Sequence, residues 1–205
     1  MISSDSTHAS LQPAKREDRR VRRTKKLLTQ ALTQLLQQKA VKDITVKELT
    51  DLADMNRGTF YLYYRDVFDM LEQIENELFE TFDNIVLSHD KESVIGQSKP
   101  MMLDLFSFIE DNQEMCRVLL GPNGDMMFFQ RMNEVIRDKC RKDWLSLREP
   151  QQEGEFDYHY SFVISGCLGL IRAWVSRFCS EPAIRMAEMA DTLIRRGVLV
   201  DPAQA

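Results

Sequence analysis

The chain has little of what builds a metal or redox centre. Its three histidines, His8, His89 and His159, are scattered without ligand spacing, and its four cysteines, Cys116, Cys140, Cys167 and Cys179, include no CxxC pair. No metal site is expected, and thiols lying in or beside apolar helical patterns read as buried and free. No window approaches the roughly 20 apolar residues that cross a bilayer, and the opening MISSDSTHASLQ has no apolar segment of the kind a signal peptide needs. The expectation is a cytoplasmic protein with no membrane partner. The glycines of Gly121-Pro122-Asn123-Gly124 lack the spacing and following lysine of a phosphate-cradling loop. With no nucleophile-base arrangement and no cofactor fingerprint either, no catalytic residue and no cofactor are assigned.

What is present is an uneven distribution of charge. At 205 residues and 43% hydrophobic, the chain is long enough for a compact core in one or two domains. Its net charge of −5 hides two opposed ends. Residues 1–65 hold thirteen Lys or Arg against seven Asp or Glu, whereas the remaining 140 residues hold fourteen against twenty-five. One end attracts phosphate and the other repels it. Lys15, Arg16, Arg19, Arg20, Arg22, Arg23, Lys25 and Lys26 cluster at the start of a helix, where the macrodipole disfavours cations, so they do not stabilise that helix. Charge runs are usually solvated faces; beside the motif described next, phosphate contact is the favoured reading.

That motif is TVKELTDLADMNRGTFYLYYR, Thr45 to Arg65. Thr45 followed by Glu48 is a capping box and starts a helix at Val46. Leu49, Leu52 and Ala53 form its apolar face, and Asp54 stands at the turn, where Asp tolerates positive φ better than most residues. Met55 is an apolar plug, and Asn56 is a second N-cap, opening a helix from Arg57 to Tyr64. Phe60 and Tyr64 share one face and read as core. This is a helix-turn-helix layout.

With a basic helix before it (Arg19 to Gln38) and a long helix after it, the segment ITVKELTDLADMNRGTFYLYYRD closely resembles the TetR/AcrR family of transcriptional regulators over residues 20–82. The run from Asn56 to Tyr64 is its diagnostic core. LLGPNGDMMF extends the likeness, more weakly, into the rest of the chain. Two departures stand out: Asp54 where the family usually has Gly, and Val67 where a basic residue is often found. The resemblance implies an all-α protein that binds double-stranded DNA at a palindromic operator as a homodimer, usually as a repressor. Resemblance and helix geometry together assign Thr45, Lys47, Asn56, Arg57, Gly58, Thr59, Tyr61, Tyr63 and Arg65 to the DNA side. Arg57 and Thr59 suit base edges. Thr45, Lys47, Tyr61, Tyr63 and Arg65 suit phosphates, and Gly58 leaves room for the backbone to approach. An adaptor that keeps the fold but binds a protein partner is the alternative; it would be expected to lose these polar residues.

The expected organisation is a disordered arm over residues 1–18, a DNA-binding domain over 19–82 and a regulatory and dimerisation domain over 83–205. Apolar spacing predicts a helix from Asp66 to Leu87, a loop over 88–100, a helix around Met102 to Ile109, a short one from Met115 to Leu120, another from Met126 to Leu147 and a polar loop over 148–155. The helix from Phe156 to Cys179 is apolar on nearly every side, as though buried all round, and has a small-residue stripe, Ser161, Ser165, Gly169 and Ala173. A last helix runs from Pro182 to Arg196, with Met186 and Ala190 on its apolar side and Gly197 as its stop. The resemblance implies that these two helices pair with their symmetry mates in a four-helix dimer interface. An excess of Met and aromatic residues suggests a pocket for a small hydrophobic effector among Phe106, Phe128, Met132, Trp144, Tyr160 and Trp174, although such stripes are more often core.

Overall fold

The computed structural model describes residues 19–89, 98–121, 126–147 and 155–198, and among them it contains nine α-helices and no strand. The expected N-terminal arm and most of the two expected loops lie outside the described residues. Helix α1 (Arg19–Leu36) buries Leu28, Ala31, Leu32 and Leu35 and leaves Arg19, Arg20, Arg22 and Arg23 exposed. A 3-10 turn at Val41–Asp43 leads to α2 (Val46–Leu52). Thr45 caps α2 by accepting from the Glu48 N–H at 3.2 Å. The reciprocal half of the capping box is replaced: Glu48 turns its carboxylate to the Lys39 ammonium instead of reaching back to the cap.

Asp54 takes the left-handed turn with φ 52°. Asn56 then caps α3 (Arg57–Tyr61), its side-chain oxygen accepting from the Gly58 N–H at 2.8 Å. This helix is shorter than expected. Tyr63 and Tyr64 both donate their N–H to the Phe60 carbonyl, and the tightened turn frees Asp66 to cap α4 (Val67–Ser88) through the Asp69 N–H. Val67 is buried, so an apolar residue at that position serves the core.

The body consists of α5 (Lys99–Asp111), α6 (Gln113–Leu119), α7 (Met126–Leu147), α8 (Phe156–Ser176) and α9 (Ala183–Val198). Helix α8 stops before the expected Cys179, and Phe178 and Cys179 turn the chain with φ 56° and 48°. Helix α9 continues through Gly197 to Val198, so that glycine does not end it. Two apolar cores result. The first joins α1 to α4 and takes in Met115, Leu119 and Phe128; the second gathers Phe106, Ile109, Cys116, Trp174, Val175, Met186, Ala187 and Ala190. The expected division at residue 82 falls inside α4, one continuous helix that contributes Leu78 to the first core.

Helix α8 is not enclosed within the chain. Tyr158 is 81% and Phe162 69% exposed, and Ser161, Ser165, Gly169 and Ala173 are exposed beside them. Its all-round apolar character therefore combines an inward face with a face open to the outside. Met186 and Ala190, expected at a dimer interface, are buried inside the subunit because α9 turns that side towards α5; its outward apolar residues are Ile184, Met189 and Leu193. Lys99–Glu188 at 2.9 Å and a Ser98–Asp191 hydrogen bond tie α9 to α5.

Candidate nucleic-acid interface and body cavities

The outer face of the head is built on two capped helix starts. Thr45, Lys47, Asn56, Arg57, Gly58, Tyr61 and Arg65 are exposed, while Phe60 and Tyr64 close the inner face of α3 with rings 5.5 Å apart. Thr59 is half-buried. Tyr63, expected on the outer face, is half-buried too, and its ring packs against the first core. Arg57 and Lys47 therefore present two cations on this exposed face, with Lys47 in the first turn of α2 beside its cap Thr45.

Arg65 is held in place. Its Nε and Nη2 donate to Asp69 Oδ1 at 3.0 and 2.8 Å, and its backbone N–H donates to Asp69 Oδ2 at 2.8 Å. The hydrogen-bonded carboxylate raises the pKa of Arg65, and the Arg65 N–H, followed by its guanidinium, lowers that of Asp69. Helix α1 divides its cations: Arg19, Arg20, Arg22, Arg23 and Lys26 are exposed, but Lys25 is half-buried 3.9 Å from Glu77. Lys15 and Arg16 lie outside the described residues. Sequence reasoning passed over Leu62, which is 75% exposed four residues after Gly58. The available signal was its spacing from the inward-facing Phe60 and Tyr64.

Among the described residues, the body holds two apolar cavities with neighbouring walls. One, of about 90 Å³, is bounded by Leu78, Phe82, Phe128, Met132, Ile136 and Ile164, among others. The other, of about 100 Å³, shares Leu105, Ile136 and Ile164 with it and adds Met101, Met102, Lys139, Cys140, Tyr160 and Cys167. Tyr160 donates to Asn133 through its hydroxyl, and burial raises its pKa. Of the expected effector residues, Phe128 and Met132 line the first cavity and Tyr160 the second. Phe106 and Trp174 do not. They meet edge to face at 5.3 Å in the second core, where Trp174 Nε1 donates to the Glu181 carbonyl at 2.9 Å. The Trp144 side chain lies outside the described residues.

None of the four cysteines forms a disulfide; Cys116 is buried and the others are half-buried. Burial pushes Cys116 up to about 12 and Cys167 up to about 11. Among the described residues no group of three His, Cys, Asp or Glu side chains could hold a metal ion, and no helix is long and apolar enough to cross a membrane.

A family model described as a transcriptional regulator C-terminal region, of the TetR type, matches residues 96–196. The HTH-type transcriptional regulator TtgR of Pseudomonas putida is 22% identical over 194 residues, covering 88% of this chain and 86% of that protein. The HTH-type dhaKLM operon transcriptional activator DhaS of Lactococcus lactis is 27% identical over 140 residues, 67% of each chain. Among solved structures, the fatty acid degradation regulator FadR from Bacillus halodurans superposes with a TM-score of 0.63 at 15% identity, covering 90% of this chain and 99% of that one. Regulators aligned along most of the chain, a matched C-terminal region and an all-helical fold with a helix-turn-helix head identify it as a member of the TetR/AcrR family of DNA-binding transcriptional regulators.

Proposed function

We propose that the protein is a dimeric repressor that leaves a palindromic operator when a small apolar molecule enters its body. The observation that carries this reading is the outer face of the head. Arg57, Gly58 and Tyr61 are presented outwards on a helix whose opposite side is locked by Phe60 and Tyr64, with Thr45 and Lys47 beside it at the start of α2. A dimer sets two such helices on successive major-groove faces, and a two-fold axis in the protein requires a two-fold operator.

The open face of α8 supports self-association. Tyr158 and Phe162 supply apolar area, and Ser161, Ser165, Gly169 and Ala173 permit close approach of a second helix. The paired cavities support an apolar effector, bounded by Phe128, Met132 and Tyr160. Such a molecule changes DNA affinity only by its difference in affinity between the DNA-competent and DNA-incompetent arrangements. The acidic body, repelled by phosphate, leaves the head as the part that approaches DNA.

The test is selection of DNA by the full-length protein, followed by titration of the recovered site at several salt concentrations. A palindrome bound with an affinity that falls steeply with salt is expected, and a reporter behind that site should be silenced by the protein. Failure to enrich any sequence would overturn the reading in favour of a partner-binding adaptor. Activation of the reporter would overturn repression alone.

A further inference from the structure

Leu62, the C-cap of α3, is more exposed than Tyr61, the other large apolar side chain on this face, and the geometry points to it as a reader of a thymine methyl group in the operator. The inference rests on the DNA-binding reading above and adds a base and a chemical contact to it. Leu62 has α-helical torsions, φ −71° and ψ −22°, so the register of α3 carries through it. At about 100° per residue, it lies about 200° beyond Phe60, whose ring packs against that of Tyr64 on the inner side. Those two rings are 0% and 5% exposed, so the Leu62 side chain points directly away from the core, 75% exposed.

Its neighbours on that face shape what it can touch. Gly58, one turn earlier on the same side, has no side chain, and no other group closes over it: an added Cβ would meet only Asn56 Oδ1 at 3.4 Å. A shallow gap therefore precedes Leu62, through which the helix can settle deep into a groove. Arg57 and Tyr61 run along one side of this line with a cation and a phenol. Leucine can neither donate nor accept a hydrogen bond, so phosphate gains nothing from it. In the major groove the apolar group on a base edge is the C5 methyl of thymine. Against any other base, Leu62 would remove water from a polar edge and return nothing.

The test uses the full chain and the operator selected above, with each thymine in turn replaced by deoxyuridine, which lacks only the methyl. One symmetry-related pair of positions is expected to weaken binding about fourfold per half-site, the equivalent of roughly 0.8 kcal/mol for one methyl removed from contact. Leu62→Ala should bind the parent operator with the same loss and should be indifferent to deoxyuridine at that pair, while remaining sensitive to salt. Because Leu62 is outside the core, the variant should melt with the parent, and a matched melting curve excludes misfolding. The assignment is overturned if no thymine responds, or if Leu62→Ala keeps the parent's response to deoxyuridine. If the protein selects no operator at all, the DNA-binding reading falls as well; normal operator binding without the methyl effect overturns this inference alone.

Discussion

Arg65 is an exposed cation of the head whose position the protein itself dictates. Left free, an exposed arginine loses rotamer entropy on meeting a phosphate. Here Asp69 takes its Nε, its Nη2 and its backbone N–H, and also accepts from Gln73 Nε2 at 3.1 Å. The arrangement titrates with a definite sign. The folded pKa of Asp69 is lowered, so its stabilising effect is complete above the ordinary carboxylate value of about 3.9 and is lost as the pH falls through the lowered folded value. Asp69→Asn should flatten the decline of melting temperature on the acid side of about pH 4. At neutral pH it should weaken binding to all DNA sequences alike, because Arg65 is released and the start of α4 loosened. Melting curves across pH and gel shifts on two unrelated operators check the two halves. An unchanged acid limb would show that the clamp has no thermodynamic weight.

Helices α8 and α9 show which features of an element can be read in a sequence. The caps Thr45, Asn56 and Asp66, the left-handed Asp54 and the span of α7 were legible because each depends on local chemistry or on one period of apolar residues. The direction of an apolar face was not. Met186 and Phe162 are equally apolar, yet one is buried against α5 and the other points outwards, a distinction set by how helices pack and not by their composition. Glu48 was misread for a related reason, since Lys39, nine residues away, competed for its carboxylate. The outward face permits a clean experiment. Gly169 is exposed, with nothing within 4 Å of an added Cβ, so Gly169→Leu starts its side chain in open space on the outer face. Sedimentation should show more monomer than in the parent, with secondary structure intact and operator binding weakened, and an unaltered dimer would place the interface elsewhere.

Across the whole molecule, the two cavities meet at Leu105, Ile136 and Ile164, on α5, α7 and α8. Ile164→Phe should fill that junction; overpacking costs about 1–3 kcal/mol, which thermal denaturation can measure. The variant is expected to keep its operator but lose release by apolar compounds that displace the parent, as read by fluorescence anisotropy of labelled DNA. Release equal to the parent's would move the effector site away from these cavities.

Helix α6 has another consequence, for dissection of the molecule. Met115 and Leu119 on one side complete the core of the head, while Cys116 on the other belongs to the core of the body. The gene cannot therefore be cut between head and body without leaving an apolar wound on each piece. A fragment spanning residues 19–89 would lack Met115, Leu119 and Phe128, and is expected to melt broadly, at lower temperature than the intact chain, and to bind a dye for exposed apolar surface. Calorimetry of the full chain should show one cooperative transition rather than two. Portability of the head, the property that makes other DNA-binding modules easy to graft, is not expected here: to move it, one must carry along α6 and the start of α7, which complete its core.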